Sequence, residues 1–167
     1  TPASNDDTPV AFSYTVTDGS LTAAGTATLD ITPVNDAPTT SPIILAAIAE
    51  DSSARLITQA ELLANASDVD GPSLTATGLA ITSGSGSLVD NGDGTWTYTP
   101  ALNDDSRSDF NSSATDGSLS VVGSAALDIT PVNDAPTTSV VTLSPIAEDS
   151  GTRLITQAEL LANAVDV

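Results

Sequence analysis

Carboxylates and asparagine side chains gather in a few loop-like segments that separate apolar stretches of the sequence. These segments are Asn35-Asp36, Glu50-Asp51, Asp68-Val69-Asp70-Gly71, Asn103-Asp104-Asp105 and Asp116-Gly117. Hard divalent cations bind carboxylate, asparagine and backbone carbonyl oxygens, and calcium accepts irregular arrangements of them. Two bare carboxylates about 4 Å apart repel by roughly 4 kcal/mol at an effective dielectric of 20. Clusters of this kind need a counterion, and the sequence therefore predicts calcium bound in these loops.

Acidic residues in turns also have a purely conformational explanation, because Asp, Asn and Gly are good turn formers. We favour that explanation for the Asp90–Gly94 segment, which has the composition of a hairpin turn. We favour metal binding for Asn35-Asp36 and for Asp68 with Asp70. For Asn103–Asp105, which includes Asp104, both explanations stay open. The D-x-D-G sequence at Asp68 is not an EF-hand loop, since it lacks the later ligands of that loop.

The composition excludes several classes of protein and strengthens the case for bound cations. The 167 residues include 22 Asp and Glu against three Lys and Arg, for a net charge of -19, and there is no Cys or His. Disulfide scaffolds, thiolate zinc sites and Ser-His-Asp triads are therefore excluded. A chain with so few basic residues is a poor partner for nucleic acid. The longest apolar run, Ile43–Ala49, is too short for membrane insertion.

The chain repeats itself with a period of 98 residues. Residues 1–69 align with 99–167 without a gap, and 47 of the 69 pairs are identical. This period matches one β-sandwich domain of about 100 residues. Pro33–Pro38 and its copy Pro131–Pro136 each contain two prolines around a short polar segment, which suits a joint between domains. The sequence predicts the end of one repeat in 1–34, a complete repeat in 35–132, and the beginning of a third in 133–167.

Alternating apolar residues predict short strands throughout the period. Strands are expected at Val10–Val16, Leu21–Ile31, Ser73–Thr82, Ser87–Val89 and Thr95–Thr99, with a hairpin turn before the last of them. Thr58 and Glu61 form a capping box that predicts one helix of about two turns. Short strands with a single small helix indicate an all-β fold, a tandem series of antiparallel Greek-key β-sandwich domains.

One strand differs between the two copies. Val10, Phe12, Tyr14 and Val16 align with Ser108, Phe110, Ser112 and Ala114, so three of the four inward positions become smaller or polar. The smaller residues bury less apolar surface. Either this strand is degenerate in the complete repeat, or the residues there are wrongly assigned. If the difference is real, it predicts that the complete repeat is weaker than its neighbour by a few kcal/mol, at the usual rates for large-to-small core substitutions.

Several motifs in the same order resemble a bacterial cadherin-like domain, in particular the VCBS-type tandem repeats of large secreted, RTX-type surface adhesins. The resemblance rests on V-N-D-A-P at Val34–Pro38, the Glu-Asp pair at Glu50, D-V-D-G at Asp68, the later T-D-G, and L-V-D-N-G-D-G-T-W-T-Y-T-P at Leu88–Pro100. It covers nearly the whole period. It implies an immunoglobulin-like sandwich and an extracellular location at the bacterial surface.

The resemblance also implies a set of calcium ligands between successive domains. In that pattern the joint, an upstream Glu, a D-x-D and a later Asp bind the ions. The matching residues are Asn35, Asp36, Glu50, Asp51, Asp68, Asp70, Asp18 and Asp116, and their second copies are Asn133, Asp134, Glu148, Asp149 and Asp166. Pro33 and Pro131 stand where the family motif begins with Asp, which implies one ligand fewer at each joint.

We expect a structural role, with calcium-stiffened repeats forming a stalk in a surface adhesin or biofilm protein. The expected partners are neighbouring repeats of the same chain, and no enzymatic activity is expected. Two alternatives are a glycan- or protein-binding module and a repeat that self-assembles into a surface fibre or layer. Trp96 and Tyr98 are expected to anchor the core rather than to stack on sugar. Arg55 and Arg153 are expected to offset the charge of the neighbouring Glu-Asp pairs.

Overall fold

The computed structural model describes residues 1–71 and 73–167, which form β-strands and two very short helices. The strands are β1 Val10–Thr17, β2 Thr22–Leu29, β3 Ile43–Ala49, β4 Arg55–Thr58, β5 Thr75–Ser83, β6 Ser87–Asp90, β7 Thr95–Thr99, β8 Ser108–Thr115 and β9 Ser120–Thr130, and the helices are α1 Gln59–Leu62 and α2 Gln157–Leu160. In these described ranges no helix has both the length and the apolar character needed to cross a membrane.

Strands β3 to β9 form two sheets that pack face to face, and we call this unit the sandwich. One sheet has the order β3-β9-β8-β5 and the other β4-β7-β6. The core between them contains Ile43, Leu45, Ile57, Leu62, Ala76, Leu79, Trp96, Tyr98, Phe110, Ala125, Leu127 and Ile129. Along β9 the buried residues alternate with exposed or partly exposed ones, as the sequence pattern predicts. The predicted all-β sandwich is confirmed.

The prediction of a wholly antiparallel sheet is wrong at one edge. Strand β3 pairs with β9 in parallel, with Ile43 beside Ala125 and Leu45 beside Leu127. The first and the last strands of the sandwich therefore run in the same direction. As a consequence, the chain enters the sandwich at one end and leaves it at the other. Domains connected in a line need this arrangement, and alternation of residues along a strand carries no information about it.

The capping box of α1 forms as predicted, although the helix is only four residues long rather than two turns. The Thr58 hydroxyl accepts the Glu61 N–H at 3.3 Å, and the Glu61 carboxylate accepts the Thr58 N–H at 2.9 Å. Arg55 bonds the same carboxylate at 2.8 Å. Partial burial acts to raise the pKa of Glu61, but the bonds from Thr58 and the charge of Arg55 outweigh it, and the pKa lies below its ordinary value.

The predicted hairpin between β6 and β7 is present, and its acidic residues serve the turn. Asp90 accepts the Gly92 N–H at 2.8 Å. Asp93 accepts both the N–H and the hydroxyl of Thr95, at 3.0 and 2.6 Å. Gly92 has φ +77°, a left-handed conformation that suits glycine. These contacts are the conformational role expected of Asp90 and Asp93.

The single tryptophan and its neighbour on β7 are core residues. Trp96 is 3 % exposed and Tyr98 is fully buried. The ring of Tyr98 meets that of Phe110 edge to face, with their centroids 5.4 Å apart. The alternative in which Trp96 offers a face for stacking on sugar is wrong, because the side chain is covered by protein.

The polar residue at the start of β8 has a specific partner in the core. Ser108 is fully buried, and its hydroxyl lies 2.7 Å from that of Tyr98. Tyr98 donates to the Ser85 carbonyl at 2.5 Å, which leaves the single hydrogen of Ser108 to donate to Tyr98, with the same carbonyl 3.3 Å away as its alternative acceptor. Ser108 therefore satisfies a buried tyrosine hydroxyl that a valine, as at Val10, would leave with one partner fewer.

Removing either hydroxyl of this network is expected to destabilise the sandwich. Ser108→Ala and Tyr98→Phe should each lower the free energy of unfolding by about 1–2 kcal/mol, since each leaves a buried polar group short of a partner. The double variant should cost less than the sum of the two, with a coupling of about 0.5 kcal/mol or more. Urea denaturation of the four proteins measures this cycle. Strictly additive losses would contradict a shared network.

Strands β1 and β2 form a separate antiparallel hairpin, which we call the N-terminal hairpin. They correspond to β8 and β9, and the predicted strand at Val10–Val16 is confirmed. Their apolar side chains are exposed, however, with Phe12 at 50 %. The reason is topological, since residues 1–34 include no counterpart of the second sheet. Tyr14 packs its ring over Gly25 on the adjacent strand, where a larger residue would clash.

Residues 133–167 keep some local contacts of the segment they copy. Thr137 pairs with Val165 as Thr39 pairs with Ser67. Helix α2 carries the same capping box as α1, formed here by Thr156. Local sequence signals therefore determine these features without the rest of a sandwich around them.

Candidate metal centre

The linker before β3 is bonded to the end of the sandwich at which the chain enters. The side-chain amide of Asn35 donates to Asp116 Oδ2 at 2.8 Å. The backbone N–H of Asp36 donates to Asp70 Oδ2 at 2.5 Å. These partners lie 81 and 34 residues away along the chain. The fold therefore brings together three segments that the sequence analysis selected separately as calcium ligands. We call this end the entry end.

Asp68 completes the group at the entry end. Its Oδ1 accepts the Asp70 N–H at 2.9 Å, which shapes the D-x-D turn. Its Oδ2 is shielded from solvent and has no hydrogen-bond partner among the described residues. The cleft beside it has a volume of about 160 Å³ and is lined by Asn35, Asp68, Asp70, Gly71, Ser73 and Asp116. A buried oxygen without a donor needs a water or a cation to satisfy it.

Asp116 holds its place through the turn between β8 and β9. Its Oδ1 accepts the N–H groups of Ser118 and Leu119, at 2.6 and 2.7 Å. The bond from Leu119, then that from Asn35, keep the pKa of Asp116 below its ordinary value. The carboxylate is therefore ionised at neutral pH, and its second oxygen is turned toward the linker.

Asp18 makes the same turn in the N-terminal hairpin but is not gathered with the other predicted ligands. It accepts the N–H groups of Ser20 and Leu21, and these bonds, that from Leu21 first, lower its pKa. Eight residues of β2 run from this turn toward the linker. At about 3.3 Å per residue they place Asp18 roughly 25 Å from the end of β2 at which the chain continues into the linker.

Glu50 and Asp51 lie at the opposite end, where the chain leaves the sandwich. Glu50 is only 8 % exposed, and its Oε1 accepts the Val132 N–H at 2.7 Å. Asp51 accepts the Asn103 N–H at 2.9 Å. The hydroxyl of the adjacent Ser52 is buried without a partner in the described part of the chain. We call this the exit end, and the predicted ligands of one repeat are thus divided between its two ends.

Asp104 belongs to the exit end as well. It accepts the Ser106 N–H at 2.8 Å and also the hydroxyl of Ser85. Hydrogen bonds from Ser106 and Ser85 lower its pKa. Asp104 therefore has an evident conformational role, which ties the loop before β8 to the turn after β5.

The second-copy residues are largely exposed. Asn133 donates to the Asp134 carbonyl at 3.3 Å, as Asn35 does to that of Asp36. Glu148, Asp149 and Asp166 are exposed to solvent. Asp149 has φ +57°, the same as Asp51, so the local turn is reproduced. The structure does not bring these three acids together with Asn133 and Asp134.

The sequence analysis missed three residues that face the entry end from the N-terminal hairpin. Asn5, Asp6 and Asp7 line a cleft of about 520 Å³ together with Asp36 and Asp70. Asp6 accepts the Thr8 N–H at 3.0 Å, and its hydrogen bonds with Thr8, first of all the side-chain bond, lower its pKa. The signal was available, since these residues are the first copies of Asn103–Asp105 in the repeat.

The three arginines form their salt bridges with acidic residues other than the predicted ligands at the entry and exit ends of the sandwich. Arg55 pairs with Glu61, Arg107 with Asp109 and Arg153 with Glu159. The expectation that Arg55 and Arg153 offset the Glu-Asp pairs is therefore wrong. Arg55 and Arg153 each lie within reach of the carboxylate of the capping box that follows, and the helix start holds that carboxylate in place.

The donor chemistry at both ends fits calcium. The available groups are carboxylate, asparagine and hydroxyl oxygens. Among the described residues, each end has one buried oxygen without a partner, Asp68 Oδ2 and Ser52 Oγ. Across residues 1–71 and 73–167, however, no three acidic side chains lie close enough to hold one ion as they stand. An ion held by three carboxylates would therefore require acidic side chains of the exposed loops to turn inward, whereas asparagine, hydroxyl and carbonyl oxygens are further ligands that calcium accepts.

Comparisons with known proteins bear on the fold and the family. Residues 34–130 match the family model of the cadherin-like domain. No curated protein sequence matches the chain. Among solved structures, an endo-fucoidan hydrolase of glycoside hydrolase family 107 is 22 % identical, covering 86 % of this chain and 23 % of its own, with a TM-score of 0.40. A chimeric titin Z1Z2 is 13 % identical, covering 72 % and 60 %, with a TM-score of 0.29. The chain spans less than a quarter of the hydrolase.

Proposed function

The chain belongs to the cadherin-like domain family, and on that premise we propose that it is a calcium-stabilised extracellular repeat that acts as a structural spacer. The parallel pairing of β3 with β9 carries the proposal. It directs the incoming and outgoing linkers to opposite ends of the sandwich. Copies joined in this way extend in a line, which is what a stalk requires.

The distribution of oxygen ligands supports calcium as the ion. At the linker before the sandwich, Asn35, Asp36, Asp68, Asp70 and Asp116 would hold it, joined by Asn5, Asp6 and Asp7 from the preceding segment. At the following linker, Glu50, Asp51, Asn133 and Asp134 would contribute, with Asp166 from the next repeat. Bound calcium supplies the positive charge that the chain, at a net charge of -19, lacks. Ligands drawn from both sides of a linker would tie two repeats together.

The motifs support a proposal about the parent protein. Val34–Pro38 and Leu88–Pro100 resemble VCBS-type repeats of large secreted bacterial adhesins, so we place the chain outside the cell, in the stalk of such a protein. Extracellular calcium modules bind with dissociation constants of about 10⁻⁴–10⁻³ M. A stalk with sites of this strength would be stiffer outside the cell, where calcium binds, than inside it.

Two observations favour a structural over a catalytic or sugar-binding role. Each carboxyl group with a shifted pKa, such as Asp104 and Asp116, is shifted downward, whereas a general acid needs a raised pKa. The single tryptophan is buried and offers no stacking face.

Self-assembly into fibres is the other alternative. Sedimentation velocity would detect it as oligomers that form only when calcium is present.

Calcium titration into the EDTA-stripped, dialysed chain tests the proposal directly. Isothermal titration calorimetry should show binding in the range of about 10⁻⁴–10⁻³ M. Asp68→Asn combined with Asp70→Asn should abolish binding at the entry end, because two charged ligands are lost there. Asp90→Asn combined with Asp93→Asn is the matched control. It removes the same charge from the β6–β7 turn and should leave binding unchanged. No binding by the unaltered chain, or an equal loss in both variants, would refute the proposed calcium centre.

A further inference from the structure

Carboxylates at both ends of the sandwich bond directly to linker backbone. At the exit end the buried Glu50 accepts the Val132 N–H at 2.7 Å, and the Glu50 N–H donates to the Thr130 carbonyl at 2.9 Å. At the entry end Asp70 accepts the Asp36 N–H at 2.5 Å. The two bonds to carboxylates, from Val132 and from Asp36, are charge-assisted hydrogen bonds, which are stronger than bonds between neutral groups.

Because the linker sequence recurs in each period, the two contacts apply to one and the same linker. Val132 is the copy of Val34, which lies two residues before Asp36. In a linker with a repeat on each side, the N–H at the Val34 position would bond to the glutamate of the preceding repeat. The N–H at the Asp36 position bonds to Asp70 of the following repeat. The amide of Asn35, between them, reaches Asp116 of the following repeat.

We propose that each linker is clipped to both neighbouring repeats by carboxylate-to-backbone hydrogen bonds that act without a bound cation. This inference rests on the proposed function, in which the linkers join repeats and bind calcium. The Glu50–Val132 bond is the upstream clip and the Asp70–Asp36 bond is the downstream clip. Calcium then adds to an orientation that the clips have already selected.

The chemistry of a carboxylate allows both roles at once. It has two oxygens, each able to accept, so Asp70 Oδ2 can hold the Asp36 N–H while Oδ1 stays available to an ion. The upstream clip has an additional source of rigidity in its burial, since Glu50 is packed within the turn after β3 and its own N–H is bonded to β9. The linker therefore leaves the sandwich in a fixed direction.

Amide hydrogen exchange of the ¹⁵N-labelled 167-residue chain in EDTA tests the clips. The Asp36 N–H should exchange about tenfold or more slowly than in Asp70→Ala, and the Val132 N–H about tenfold or more slowly than in Glu50→Ala. Asp70→Asn and Glu50→Gln keep an acceptor oxygen and should retain most of the protection. These conservative variants separate the hydrogen bond from the charge, because Asp70→Asn should still weaken calcium binding.

The possible outcomes distinguish the clips from the proposed function. Slow exchange in EDTA with no calcium response would support the clips and refute the calcium centre. Unprotected Asp36 and Val132 amides in EDTA that become protected only with calcium would overturn the clips. Protection of the Leu127 amide in β9 reports whether Glu50→Ala still folds. If it does not, the exposed Asp70 and its variants test the downstream clip independently.

Discussion

Chelation of calcium with EDTA is expected to lower the melting temperature of the 167-residue chain by about 6–20 °C, relative to about 10 mM calcium. At site affinities of about 10⁻⁴–10⁻³ M this concentration is a ten- to hundredfold excess, which stabilises the folded form by about 1.4–2.7 kcal/mol per ion. A domain of about 100 residues shifts its melting temperature by roughly 4–8 °C per kcal/mol. Circular dichroism in the two buffers measures the difference.

Two controls separate ion binding from screening of the charge of -19. Sodium chloride at equal ionic strength should reproduce only the small part of the shift that arises from screening. Asp68→Asn with Asp70→Asn should lose the calcium-dependent part that belongs to the entry end, whereas Asp90→Asn with Asp93→Asn should retain it. Equal melting temperatures in calcium and EDTA would mean that these acids serve only as solvated turn residues.

The fold could be predicted as far as local patterns extend. Alternation along β9 identified its inner face, the Asp90–Gly94 turn identified a hairpin, and Thr58 with Glu61 identified the helix start. The partner and direction of β3 could not be predicted, because side-chain periodicity is the same for parallel and antiparallel neighbours. The prediction that the residues of β8 weaken the repeat considered only the apolar area that they bury. The partner of Ser108, the hydroxyl of Tyr98, becomes visible only once the two sheets face each other.

For the candidate metal centre, the sequence likewise predicted the ligand-bearing loops but not their positions in the fold. The sequence identified most of the loops that carry oxygen ligands, since Asp, Asn and Gly mark turns. It could not assign each loop to an end of the sandwich, which depends on how many strands separate one loop from the next. Glu50 and Asp68 are 18 residues apart but lie at opposite ends. Asn5–Asp7 went unnoticed because their copy at Asn103–Asp105 was itself undecided between turn and ligand.

Phe110→Ala is expected to be among the most damaging single substitutions in the chain, with a loss of about 3–5 kcal/mol in the free energy of unfolding. Phe110 is 1 % exposed and packs edge to face on Tyr98, so its removal leaves a cavity between the two sheets. Such a loss is a large part of the 5–15 kcal/mol that stabilises a typical domain. Urea denaturation followed by Trp96 fluorescence measures it, because the single tryptophan reports on the sandwich alone.

The repeat supplies a matched control for this substitution at Phe12. Phe12 occupies the same position of the period and sits opposite Ala27 as Phe110 sits opposite Ala125. It is 50 % exposed, because the N-terminal hairpin has no second sheet over it. Phe12→Ala should therefore change the unfolding of the sandwich by less than about 0.5 kcal/mol. Equal losses from the two substitutions would contradict the difference in burial and show that the hairpin packs against the sandwich. A contrast between them would establish that the same residue in the same strand is stabilising only where the opposing sheet covers it.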